Sequence, residues 1–166
     1  MMSANCAQEC QLSFQQRSLV QQGYEDLSPA QLRELDWGLR FTPVTCALLT
    51  SYGLLTQQPY LLLTVGALGL WAFLAPAHHP MDLLYNHVVR HALGATALPP
   101  NPLQRRLACL SAAMMNTAAA GMFLLGYPAA AFAIGGMLLF FQAIVITTHF
   151  CALSWFYELG ARALGF

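Results

Sequence analysis

The chain has 166 residues, 57% hydrophobic and 8% charged, and its seven acids are balanced by seven arginines with no lysine. Soluble domains carry roughly a quarter charged residues, so an ordinary soluble fold is excluded and the class is integral membrane. No basic surplus exists to attract a phosphate backbone, which excludes nucleic-acid binding.

Residues 1–36 are rich in Gln, Ser and Glu, with a weak helical spacing through Leu12, Phe14, Leu19 and Val20. They predict a polar arm outside the membrane. The arm lacks the basic and apolar regions of a signal peptide, so the first apolar helix is expected to act as its own insertion signal. Ser28-Pro29-Ala30-Gln31 combines an N-cap, a first-turn proline and a capping-box glutamine, which predicts a helix start.

From Phe41 to Ala77, thirty-seven residues pass without a charge or a histidine, interrupted by Thr56-Gln57-Gln58-Pro59. This predicts a hairpin of two spans, about 38–56 and 60–77, turning at the interruption. Trp37 and Arg40 sit at its start, an aromatic anchor and a cation snorkelling toward headgroups. In the more polar centre, Pro80 precedes a segment whose Met81, Leu84, Tyr85, Val88 and Ala92 fall at helical spacing. A helix lying in the interface is expected over about 80–93, with Arg90 interfacial and Gly94 at its end. After the link Leu98-Pro99-Pro100-Asn101-Pro102, Arg105 and Arg106 mark the interface where a second hairpin begins. Leu107 to Tyr157 contains fifty-one residues without Asp, Glu, Lys or Arg, enough to cross twice if Gly126-Tyr127-Pro128 forms the turn. The spans are placed at about 105–125 and 129–152, within a transmembrane domain of 37–158 followed by a short tail, 159–166.

The predicted fold is therefore all-α: four transmembrane helices as two hairpins, an interfacial helix between them, and a polar N-terminal arm. Arginines 17, 33, 40, 90, 105, 106 and 162 all lie in the arm, the central loop or the tail, and neither hairpin turn carries one. Both termini are expected in the cytoplasm, which requires an even number of spans. Gly66 and Gly69 in the second span, and Ala108, Ala112, Asn116 and Ala120 in the third, give small faces for close helix approach. Asn116, Thr117 and Gln142 are expected to hydrogen-bond across the bundle.

This topology gathers Cys6, Cys10, Cys46, Cys109 and Cys151, with His78, His79, His87, His91 and His149, at the cytoplasmic level. A reducing compartment argues against structural disulfides. Cys46 and Cys109 read first as packing residues, and Cys6 with Cys10 as free thiols in the arm. His87 and His91 share an i,i+4 face suited to a metal, a spacing that an amphipathic helix also produces on its wet side. His149, ending a long apolar helix, must reach water or bind something: a partner side chain, a metal, or the magnesium or iron of a tetrapyrrole. No cofactor is required by the sequence.

The order of features, with the segment Pro80 to Gly94, the Pro-Pro link, Pro102-Leu103-Gln104-Arg105-Arg106-Leu107-Ala108 and the ending Phe150-Cys151-Ala152-Leu153-Ser154-Trp155-Phe156-Tyr157, resembles a family of bacterial four-helix membrane proteins. That family is catalogued as domain of unknown function 4395, and the resemblance covers roughly residues 35–158. It implies the bacterial inner membrane. Family members commonly end in Phe-Cys-x-x-Cys-x-x-Tyr and lie beside thioredoxin-like or rhodanese-like genes, which implies thiol or sulfur chemistry. Here Phe150, Cys151 and Tyr157 match, but Ser154 replaces the second cysteine and cannot resolve a mixed disulfide. Cys151 is then a lone candidate thiol, with Cys109 or Cys46 as its possible partner.

The leading expectation is a non-catalytic accessory or scaffold subunit of a larger membrane complex, of photosynthetic or respiratory type, contacting lipid and other membrane subunits. A thiol-redox or sulfur-handling protein working through Cys151 is the second. A small carrier or channel is the third, disfavoured because no ionisable residue falls at mid-membrane.

Overall fold

The computed structural model describes residues 12–152, 154–156 and 159–160. Cys6 and Cys10, Arg162 and Tyr157 lie outside the described residues. The fold is all-α, with no strand among the described residues.

Helix α1, Phe14–Gln21, opens with a capping box in which the Ser13 hydroxyl accepts from the Gln16 amide and the Gln16 side chain accepts from the Ser13 amide. Helix α2, Pro29–Leu55, opens with the same device at Ser28 and Gln31, as the sequence predicts. It continues unbroken through Pro43. Gln57, at φ 51°, takes the left-handed turn conformation, and Pro59 starts α3, Pro59–Leu74. That helix stops short of the expected residue 77 because Pro76 follows and bars Ala75 from helical geometry; Ala75 lies at φ −131°, ψ 71°. A 3-10 turn, Pro76–His78, leads to α4, Pro80–Leu84, a π turn, Tyr85–Val89, and α5, Arg90–Leu93. Gly94, at φ 63°, ends this run. Helix α6, Leu103–Leu124, and helix α7, Pro128–Thr148, follow, His149 stops α7 at φ 57°, and residues 152, 154–156 and 159–160 are again helical.

Four helices form a closed ring: α2 packs on α3 and α7, and α6 packs on α3 and α7. The α3–α6 seam is the closest because its residues are small. A Cβ on Gly69 would stand 2.9 Å from the Cys109 carbonyl oxygen, so only glycine permits that approach. Across the bundle Thr50 donates to Asn116 Oδ1 at 3.1 Å, and both are buried. The larger apolar side chains point the other way: Leu55, Tyr60, Leu74, Met137 and Phe140 are exposed, while Ala119, Ala120 and Ala131 are buried. Leu54 and Leu62 pack with Ala119 and Ala120 inside, while many of the largest apolar side chains face outward.

Four spans are expected from the sequence, whereas two helices, α6 and α7, are by themselves long and apolar enough to cross a membrane. The reason is local. Helix α3 is apolar but has 16 residues, about 24 Å at 1.5 Å per residue, short of a hydrocarbon core of about 30 Å. In α2, Arg33, Glu34, Asp36 and Arg40 occupy the first half and leave the second half apolar.

A second core lies at the end of the bundle where α2 and α6 begin and α3 and α7 finish. Leu19, Tyr24, Leu32 and Leu35 from the N-terminal segment meet Leu39, Tyr85 and Leu98 there. Gly38 makes room for it, since a Cβ would fall 2.7 Å from the Tyr85 hydroxyl. Residues 12–36 are thus packed onto the bundle.

Candidate functional site

The same end gathers most of the buried polar side chains, and helix physics explains why. Pro43 has no N–H, so the carbonyl of Leu39, four residues earlier, loses its helical donor. Arg105 Nη2 supplies one at 2.7 Å. The last carbonyls of a helix also lack donors. Arg106 donates twice to Phe73 O at the end of α3, at 2.9 and 2.6 Å, and stacks over the Phe73 ring. Arg40 Nη1 donates to Ile146 O at the end of α7, at 2.6 Å. The three guanidiniums therefore cap helix carbonyls.

Two carboxylates complete the arrangement. Asp36 Oδ1 accepts from His149 Nε2 at 2.7 Å and from Arg40 Nη2 at 3.1 Å, and Gln22 donates to the His149 carbonyl. This ties α1, α2 and the end of α7. His149 lies beyond the last turn of α7 and is buried. Asp82 is the second hub: Thr42 donates to Oδ1 at 2.8 Å and Asn101 to Oδ2 at 2.6 Å. His79 Nδ1 stands 3.2 Å from Oδ2, off the hydrogen-bond axis. Burial works to raise the Asp82 pKa, but the His79 ring, the Arg105 charge and the Thr42 hydroxyl outweigh it and hold the carboxyl below its usual range.

Beneath these hubs, lined by the helices of the ring, is a cavity of about 510 Å³. Arg105, His79 and Asn101 line its polar end, Cys46 and Cys109 its flank, and Asn116 and Gln142 reach it from deeper in the bundle. Cys46 and Cys109 thus share one cavity as free thiols. Cys151 is also free and buried, and its neighbours Phe150 and Ala152 line the same space. Ser154 is buried with its hydroxyl unpaired among the described residues.

The residues singled out by sequence fall into two groups. His149, Cys46, Cys109, Arg40 and Arg105 come together around this end; His87 and His91 stay exposed on the outer segment. The π turn at Tyr85–Val89 changes the register that the i,i+4 argument assumes, and no group of three or more metal-ligating side chains occurs among the described residues. Arg105, expected at the headgroup interface, is buried because the Leu39 carbonyl draws it inward, and Arg40 is engaged by Asp36 instead of reaching freely outward. Trp37 is 81% exposed, and Arg90 is half-buried with an unpaired Nε. His149 engages Asp36 through Nε2, which leaves Nδ1 as its second ring nitrogen.

Sequence reasoning missed Asp36, Asp82, Thr42 and Asn101. A signal was present for one of them: Asp82 is the sole acid between Asp36 and Glu158, and an isolated acid in apolar sequence needs partners. Pro43 was a second signal, since its freed carbonyl calls for a donor.

An all-α bundle with a polar-capped interior cavity is the class that fold and site define. A family model described as Domain of unknown function (DUF4395) matches residues 36–162, and the chain belongs to that family. The match begins at Asp36, the partner of His149. No curated protein and no solved structure matches the chain significantly.

Proposed function

We propose that the protein is a four-pass membrane protein of the bacterial inner membrane with both termini in the cytoplasm, serving as a non-catalytic accessory or scaffold subunit of a larger complex. Arginine placement supports the orientation, and the outward apolar faces of the ring support the embedding. The polar end then lies at the cytoplasmic surface. There the apolar half of α2 and the 16-residue α3 reach the headgroup level through capped helix ends and the interfacial run 80–93.

The observation that carries the subunit role is that the ionisable groups at this end are tied into the helices. Arg40 and Arg106 hold helix ends, Arg105 holds the Leu39 carbonyl within α2, and Asp36 and Asp82 gather neighbouring side chains, which suits a structural element. Exposed Trp37 and the exposed His87, Val88 and His91 offer a partner the adjoining surface. Extraction in mild detergent tests this. A stoichiometric larger assembly is expected, and a lone monodisperse protein from native membranes would contradict it.

One observation favours a second reading, thiol exchange: Cys46 and Cys109 share a cavity that Cys151 adjoins. In that chemistry a thiolate attacks a partner protein's disulfide, releasing one partner thiolate, and a second cysteine displaces the other as the internal disulfide forms. Bridging requires Cα atoms within about 7 Å. Cys46→Ser, Cys109→Ser and Cys151→Ser decide it: the reading stands if a mixed disulfide with a partner accumulates in one variant and falls if none does.

A further inference from the structure

The cavity has a polar end and an apolar body. Arg105 and His79 stand at the first; Cys46, Cys109, Leu138 and Val145 line the second. Its size lies within the roughly 300–1,000 Å³ typical of small-molecule sites, so it is more than a packing fault. Its polar groups are also incompletely used. A guanidinium offers five N–H donors; buried Arg105 places one on Leu39 O and has the Tyr24 hydroxyl beside it, which leaves donors over among the described residues. Unused hydrogen-bonding groups in a desolvated site favour a ligand that completes them. Phe141 and Phe156 line the cavity and are also exposed, so they form a rim on the outer surface of the bundle.

We propose that this cavity binds a membrane-soluble amphiphile entering past Phe141 and Phe156, its oxygen-bearing head accepting hydrogen bonds from Arg105 and its apolar body lying along Cys46 and Cys109. The proposal rests on the membrane reading above and deepens it by naming a ligand class. The head chemistry is an oxygen acceptor, which a fatty-acid carboxylate and a quinone carbonyl both provide.

The test uses the full chain in nanodiscs with two probes, tritiated palmitate and decylubiquinone. Saturable binding of at least one probe is expected. Displacement of palmitate by palmitate alone assigns the carboxylate source, and displacement by decylubiquinone assigns the carbonyl source. Ala112→Phe, which fills the cavity, should weaken binding at least tenfold. Because that variant risks misfolding, a second measurement uses the wild-type chain: alkylation of Cys46 and Cys109 by a small maleimide, read site by site by peptide mass spectrometry. Saturating probe should slow both at least fivefold. No saturable binding of either probe, or unchanged alkylation in its presence, overturns the proposal. Carbonate extraction of the source membranes separates the two failures: a chain that resists extraction yet binds no probe leaves the membrane reading standing.

Discussion

A proline in the middle of α2 removes a hydrogen bond from Leu39 O, and a buried arginine two helices away restores it. The two residues should therefore act as one unit. Hydrogen bonds to charged groups contribute about 1.5–3 kcal/mol, so Arg105→Met is expected to destabilise the chain by about that much in detergent unfolding. In a Pro43→Ala background the backbone amide restored at that position can serve Leu39 O, and the same change should cost less; equal costs would show the two to be independent. Titration follows the same residue-level logic. Asp82 has a folded pKa below its ordinary one, so the unfolded chain takes up its proton more readily. The stability it contributes is present above the ordinary value near 3.8 and is lost as pH falls below it. Thermal unfolding from pH 8 downward measures it, and Asp82→Asn should remove that loss. A chain that gains stability on acidification would contradict the assignment.

At the scale of elements, the α3–α6 seam depends on small residues. Gly69→Leu would drive a side chain against the Cys109 carbonyl and force the helices apart, and overpacking of this kind costs about 1–3 kcal/mol. Thr50→Val removes the hydroxyl that meets Asn116, and cross-helix hydrogen bonds in membranes average about 0.6 kcal/mol. The seam should thus be the more sensitive of the two, and the reverse order in unfolding measurements would argue against close packing as the source of cohesion. Helix starts were legible in the sequence wherever a local rule sets them, as at Ser28 and Pro59. Helix ends were less so. Residues 75 and 149 leave helical geometry through a following proline and a left-handed histidine, and the second of these has no local signature. The length of α2 was also hidden, because a helix that passes through Pro43 needs Arg105, which lies sixty-six residues from the carbonyl it serves.

For the whole molecule, the grouping of Cys46, Cys109, Cys151 and His149 toward one end of the bundle follows from where apolar stretches begin and stop, which the sequence shows. Their partners could not. The Asp36–His149 contact spans 113 residues and depends on α1 and α7 docking on α2, information that no local pattern carries. The cavity was equally invisible, being the space left between four helices whose facing residues are small. The proposed arrangement has this ring crossing the membrane four times with its polar end in the cytoplasm. Reporter fusions placed after residues 57, 96, 126 and 160, active on one side of the membrane only, test it most directly. Fusions at 57 and 126 should report outside and those at 96 and 160 cytoplasm; a cytoplasmic signal at 57 or 126 would rule the arrangement out.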